Sequence, residues 1–125
     1  LPILHVLSVA LGGALGAVAR YWFSGWLNAG DSKLPWGTLS ANVLGSFLMG
    51  VMFVLILEKA KLPPEMRPLL MTGFLGALTT FSTFSLETLT LIHEGHIIAA
   101  LFYVLLSVIL CIAALALAVG LTRMF

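Results

Sequence analysis

The sequence predicts an all-α integral membrane protein of four transmembrane helices, the third broken near its middle. Three observations carry that expectation. Of 125 residues, 61% are hydrophobic and 9% charged, against about 45–50% and about 25% in an ordinary soluble domain, so the chain lacks the polar surface to coat a globule. The mean hydropathy of +1.14 points the same way. A spanning helix needs about 20 apolar residues, so four would take up roughly 80 positions and leave only short connections. Residues 1–125 are therefore read as one four-helix domain in a lipid bilayer.

The first span runs from about residue 3 to 27, interrupted by one charge at Arg20. It lacks the basic head and small-residue cleavage site of a leader and is read as a true span. The polar stretch from Asn28 to Lys33 closes it, and Pro35 stops the helix from continuing. The second span covers about residues 36–57, with no charge until Glu58. Charges and prolines then follow together from Glu58 to Glu65, a segment that no bilayer core accepts. The third span covers about residues 69–92 and the fourth about 97–121, separated by the tight turn His93-Glu94-Gly95-His96. Trp22, Trp26 and Trp36 stand near span ends, where amphipathic rings favour the headgroup layer.

Charge excludes several classes of function. Six Lys or Arg against five Asp or Glu give a net charge of +1, which leaves no polybasic surface for nucleic acid. The single cysteine, Cys111, makes no intrachain disulfide. His5, His93 and His96 carry no metal-ligand spacing, and there is neither a nucleophile and base pair nor a Gly-rich phosphate loop, so enzyme catalysis has no support. Lys59, Lys61, Arg67 and Arg123 fall on one side of the four spans, Lys33 and a snorkelling Arg20 on the other. That bias is weak enough to permit insertion in both orientations.

Small residues recur at four-residue spacing: Gly12 with Gly16, Gly13 with Ala17, Gly37 with Ala41 and Gly45, Ser46 with Gly50. Such spacing lets helix backbones approach closely in lipid. The third span differs. Gly73 and Gly76 precede five hydroxyl residues within the seven positions from Thr79 to Ser85, and both features weaken a helix. A break there would expose backbone, which membrane depth tolerates only in protein or beside a water-filled cavity. Broken helices offer carbonyls to cations and half-helix N-termini to anions. The competing reading is a continuous helix whose hydroxyls bond back to their own carbonyls.

Phe81 and Phe84, three apart, share a helical face. Aromatic ring edges are electropositive and suit a small anion, although lipid contact or core packing is the commoner role of phenylalanine. Asn42 is the only carboxamide inside a span and shares a face with Thr38. Tyr103, Ser107 and Cys111 form a second polar stripe. Interhelical hydrogen bonding and pore lining both explain these stripes. Arg20 and Glu87 are the charges within spans and, as intramembrane charges, functional candidates.

Together, the segments Gly16-Ala17-Val18-Ala19-Arg20-Tyr21, Gly37 to Gly45, and Thr72 to Ser85 with Glu87 resemble the Fluc (CrcB) fluoride channels. The likeness covers all four spans in order, and the string Thr79-Thr80-Phe81-Ser82-Thr83-Phe84-Ser85 is its most specific part. The resemblance implies passive fluoride export across the bacterial cytoplasmic (inner) membrane by a dual-topology, antiparallel homodimer. It implies that Phe81 and Phe84 meet fluoride edge-on and that Asn42 donates a hydrogen bond to it. Thr38, Ser82, Thr83, Tyr103 and Ser107 would complete the polar lining, with Arg20 and Glu87 as charged pore or vestibule positions. The backbone carbonyls of Gly76 and Thr79 from both subunits would hold a structural sodium ion at the dimer centre. One departure is Ala77, where the family commonly has a second glycine. Two rivals stand beside this reading. A small four-helix, proton-coupled multidrug exporter would need a first-span carboxylate, and this chain has Arg20 there. A non-conducting subunit of a larger assembly is separated only by flux.

Overall fold

The computed structural model describes residues 2–28 and 34–125; the polar connection from Ala29 to Lys33, expected to close the first span, lies outside the described residues. Among the described residues the secondary structure is entirely helical. Helix α1 (Ile3–Leu27) follows Pro2, whose missing N–H is no loss at a helix start. Helix α2 (Trp36–Met52) likewise starts after Pro35 and continues in wider, π-helical turns through Phe53–Glu58. There the Lys59 amide reaches back five residues to Val54 O at 2.8 Å. The chain turns at Ala60, in the left-handed region at φ 51°.

The third span begins as π-helical Arg67–Leu75, continues as α3 (Gly76–Leu78), passes through extended backbone at Thr79 and Thr80, and resumes as α4 (Phe81–His93). Gly95, at φ 85°, makes the turn into α5 (Ile97–Arg123). Four helical stretches, Ile3–Leu27, Trp36–Glu58, Arg67–His93 and Ile97–Arg123, are long and apolar enough to cross a membrane. Three of them extend one or two residues beyond the expected spans, because Glu58, Arg67, His93 and Arg123 remain within helical backbone. At about 1.5 Å per residue each exceeds the ~30 Å of a hydrocarbon core.

Two helix pairs organise the bundle: α1 lies along Arg67–Leu75, and α2 lies along α5. Close approach requires glycine on the first seam. A Cβ at Gly12 would overlap Leu69 O, and one at Gly16 would overlap Phe74 O. A Cβ at Gly50 would come within 2.6 Å of Leu115 O on the second seam, whereas one at Gly13 would meet nothing within 4 Å. Gly13 of the Gly13 and Ala17 pair thus has no close packing partner among the described residues. Leu39, Phe84, Leu91, Ala100 and Tyr103 form the buried cluster where α2, α4 and α5 meet.

Large apolar side chains on α1 and α5 remain exposed, as do Trp22, Trp26 and Trp36. That is the pattern of a chain whose outer surface faces lipid or another apolar surface. At the end of α5, Arg123 donates from Nε and Nη2 to the two carboxylate oxygens of Glu58, at 2.8 and 2.6 Å. This ties the end of the last helix to the end of the second spanning stretch.

Candidate functional site

The site is built from the extended pair between α3 and α4. Thr79 (φ −91°, ψ 155°) and Thr80 (φ −153°, ψ 126°) are extended; the Thr79 amide still reaches Leu75 O, but the Thr80 backbone groups need other partners. Asn42 of α2 supplies them. Its Nδ2 donates to Thr80 O at 3.1 Å, and its Oδ1 accepts from Thr80 N at 2.8 Å. The carboxamide thus pairs with Thr80 as a neighbouring strand would. Thr80 Oγ1 in turn accepts from Thr83 N at 3.2 Å and caps α4. Gly45, three residues past Asn42, allows the close fit: a Cβ there would overlap Thr79 Cγ2.

These diversions free specific carbonyls. In a continuous helix the Thr80 amide would serve Gly76 O, and the Thr83 amide would serve Thr79 O. Here Asn42 holds the first and the Thr80 side chain the second. Between them, Ala77 O accepts from Arg20 Nε at 3.0 Å. Leu75 O keeps its helical bond from Thr79 N and takes a second from Thr79 Oγ1, at 3.1 and 2.9 Å. Two carbonyls of one short segment therefore lack their helical donors, and carbonyl oxygens of this kind are ligands that a hard cation can take.

Hydroxyls also bond back along the helix, as the competing sequence reading expects. Ser85, Thr88 and Thr90 donate to the carbonyls of Phe81, Phe84 and Leu86, at 2.8–2.9 Å. Back-bonding and departure from the ladder coexist: the first satisfies α4, and the second is confined to Thr79 and Thr80.

A cavity of about 500 Å³ opens beside the extended pair, lined among others by Asn42, Gly76, Thr79, Phe81, Phe84 and Ser107. The rings of Phe81 and Phe84 lie 5.4 Å apart at 49°. Phe84 is buried and also stacks at a tilt on Tyr103, 5.1 Å away. Phe81 is 77% exposed, projecting from the single chain. Ser107 Oγ is buried with no hydrogen-bond partner among the described residues, an unusual state for a hydroxyl at membrane depth. The positive end of the α4 dipole lies at Phe81, beside the cavity.

A second cavity of about 490 Å³ is lined by Arg20, Thr38, Thr83 and Glu87. Arg20 and Glu87 share it without pairing. Glu87 accepts instead from Thr38 Oγ1 and from Tyr103 OH, both at 3.1 Å. Both donors are fully buried, at 1% and 0% exposure, so the carboxylate gathers the polar groups of α2 and α5 onto α4. The structure thus brings Asn42, Gly76, Thr79, Phe81, Phe84 and Ser107 together at one cavity. It places Arg20, Thr38, Thr83 and Glu87 at the other, with Tyr103 bonded to Glu87. Ser82 is exposed and contacts Thr80 Oγ1 at 3.3 Å.

Two residues named in the sequence take roles that the sequence did not assign. Ala77 acts through its carbonyl, which leaves no mark in a sequence. Asn28 accepts from Gly37 N at 2.6 Å and so caps α2 from the end of α1; an asparagine just past an apolar run was the available signal. No group of three or more His, Cys, Asp or Glu gathers as a metal cluster among the described residues.

Comparison with known proteins agrees with this architecture. A family profile described as "CrcB-like protein, Camphor Resistance (CrcB)" matches residues 7–120. A protein of Hahella chejuensis called fluoride-specific ion channel FluC is 54% identical over 121 residues, covering 96% of this chain and 95% of that relative. Proteins of the same name from Saccharophagus degradans and Magnetococcus marinus are 56% identical over 118 residues and 51% over 112. They cover 94% and 89% of this chain, and 88% and 91% of the relatives. The match takes in most of all four spanning helices, so this is a multi-pass membrane protein, and the chain belongs to the CrcB-like family.

Proposed function

We propose that this protein is a fluoride-selective channel that lets fluoride leave the cytoplasm passively across the bacterial inner membrane. The observation that carries the reading is the cavity where Asn42 clasps Thr80 beside the Phe81 and Phe84 rings. Relatives at about half identity over nearly the whole chain bear the name of such a channel, which supports it. Fluoride is small and strongly hydrated. A pore for it must replace water with several moderate donors and not with one strong trap.

The residues here offer that kind of coordination. One Nδ2–H of Asn42 is held by Thr80 O, which leaves the other for an ion. Ser107 Oγ has a free proton beside the same cavity. The edges of Phe81 and Phe84 add weak positive potential without full charge. Thr38 and Thr83 add hydroxyls to the second cavity, which Arg20 and Glu87 also line, and Ser82 beside Thr80 and Tyr103 beside Glu87 would extend the polar lining.

The functional unit in this reading is an antiparallel homodimer, with both orientations inserted. Its support is the exposure of Gly76 and Phe81 on the single chain beside an open cavity, which a second copy would close. The freed carbonyls of Gly76 and Thr79, facing their equivalents, would hold a structural sodium ion. When bound, sodium supplies a fixed positive charge and a cross-link between the copies. The third span works as a broken helix, its extended residues presenting backbone to ions.

Purified protein in fluoride-loaded liposomes, followed with a fluoride electrode, tests the function. Rapid fluoride efflux with little chloride movement is expected. No efflux, or chloride passing as fast, would sink the reading.

A further inference from the structure

We propose that Arg20 is a positioning residue: its Nε–H, and not its charge, fixes the end of α3 by holding Ala77 O. A helix leaves its last carbonyls without internal partners, and α3 is only three residues long before the backbone becomes extended. Leu75 O is served from Thr79, whereas Gly76 O and Thr79 O lose their helical donors to the Asn42 and Thr80 side chains. Ala77 O stands between those two open carbonyls. It is bonded by a side chain 57 positions away, at 3.0 Å.

The approach is prepared one turn earlier on α1. Gly16 and Arg20 share a helical face, and a Cβ at Gly16 would overlap Phe74 O and come within 3.1 Å of Ala77 Cβ. The missing side chain brings α1 against α3, and Arg20 then reaches the carbonyl with its innermost nitrogen. An arginine acting only by charge would project its terminal nitrogens toward the ion and leave Nε uncommitted. Here Nε is the atom engaged. Ala77 is thereby fixed from two sides, by Gly16 packing and by the Arg20 bond, and the orientations of the Gly76 and Thr79 carbonyls follow from it.

Side-chain geometry separates donor from charge. Glutamine carries its Nε2–H the same number of bonds from the backbone as arginine carries Nε–H, without charge. Lysine keeps the charge but has a methylene at that position, and methionine has neither. In liposomes, Arg20→Met and Arg20→Lys should each lower initial fluoride efflux about tenfold or more, the scale of one lost charge-assisted hydrogen bond. Arg20→Gln should restore efflux to within about threefold of the parent protein, since an uncharged donor keeps the bond with somewhat less strength.

The flux arm rests on the channel reading, so a second arm does not. Hydrogen–deuterium exchange in detergent, read over residues 76–83, should quicken in the Met and Lys variants and stay near the parent in Gln. If Lys preserves efflux and slow exchange while Gln loses them, charge is the operative property and the inference is overturned. The same holds if Gln and Lys behave alike, or if Met changes neither readout. Should Arg20→Met fail to fold, the contrast between Gln and Lys still decides. A parent protein that passes no fluoride defeats the channel reading alone, and exchange then judges Arg20.

Discussion

Asn42 and Thr80 exchange two hydrogen bonds, Nδ2 to the Thr80 carbonyl at 3.1 Å and the Thr80 amide to Oδ1 at 2.8 Å. A side chain thereby completes backbone that the third span leaves unpaired. Asn42→Leu, of similar size, would strand both Thr80 groups in apolar surroundings, where each unsatisfied group costs about 1–3 kcal/mol. We expect lower thermal stability in detergent together with loss of fluoride efflux. Unchanged melting would show that the clasp contributes little.

Gly45 and Thr79 should be energetically coupled. Gly45→Ala places a methyl where Thr79 Cγ2 lies, and overpacking of this kind costs about 1–3 kcal/mol. Thr79→Ser removes Cγ2 while keeping the hydroxyl that donates to Leu75 O. The double variant should therefore recover much of the stability lost by Gly45→Ala. Additive losses in a double-mutant cycle would contradict the contact.

The two phenylalanines should part company on substitution. Phe84 is buried against Tyr103 and Phe81, so Phe84→Ile should lower both efflux and stability, the latter by about 1–3 kcal/mol for a poorly fitting core residue. Phe81 is largely exposed on the chain, so Phe81→Ile should lower efflux with a stability change within about 0.5 kcal/mol. Efflux and chemical unfolding on the same preparations check both, and undiminished efflux in the two variants would remove the ring edges from permeation.

Glu87 accepts from two fully buried hydroxyls, so its partners should depend on it. Tyr103→Phe removes the donor to Oε1, which should cost about 1–3 kcal/mol for a carboxylate oxygen left short of a donor. In an Glu87→Gln background the same change should cost less, because the carboxylate has gone. Equal costs in both backgrounds would mean that the loss does not act through the charge of the Glu87 carboxylate, since glutamine keeps an accepting oxygen.

Much of the fold could be read from composition. Four apolar runs separated by Pro- and charge-bearing loops set the helix count, since backbone at membrane depth has few alternatives to helix. The ends of the second and fourth spans lay one or two residues further out than expected, and there Glu58 and Arg123 satisfy one another while remaining on helical backbone. The extended residues Thr79 and Thr80 fall within the hydroxyl-rich stretch that composition singled out. Which hydroxyls bond backward and which cap was not legible, because identical Thr side chains do either, depending on the backbone around them.

The site was legible in side chains and hidden in backbone. Asn42, Phe81, Phe84 and Glu87 were conspicuous as rare polar or paired aromatic residues. That Arg20 would meet Ala77 O, and Glu87 the hydroxyls of Thr38 and Tyr103, depends on how the helices lie against one another. A single sequence does not specify those distances.

The wide turn at Phe53–Glu58 has an evolutionary consequence. Each of its bonds encloses one residue more than an ordinary α-helical turn. Removing one residue there would tighten it to the commoner ladder while leaving the flanking chain in phase. Single-codon losses can therefore be absorbed next to the loop without rotating Thr38, Asn42 or Gly45. In chain-length variation among descendants of this gene, that segment is a place where the count of residues can drift while the chemistry upstream stays put.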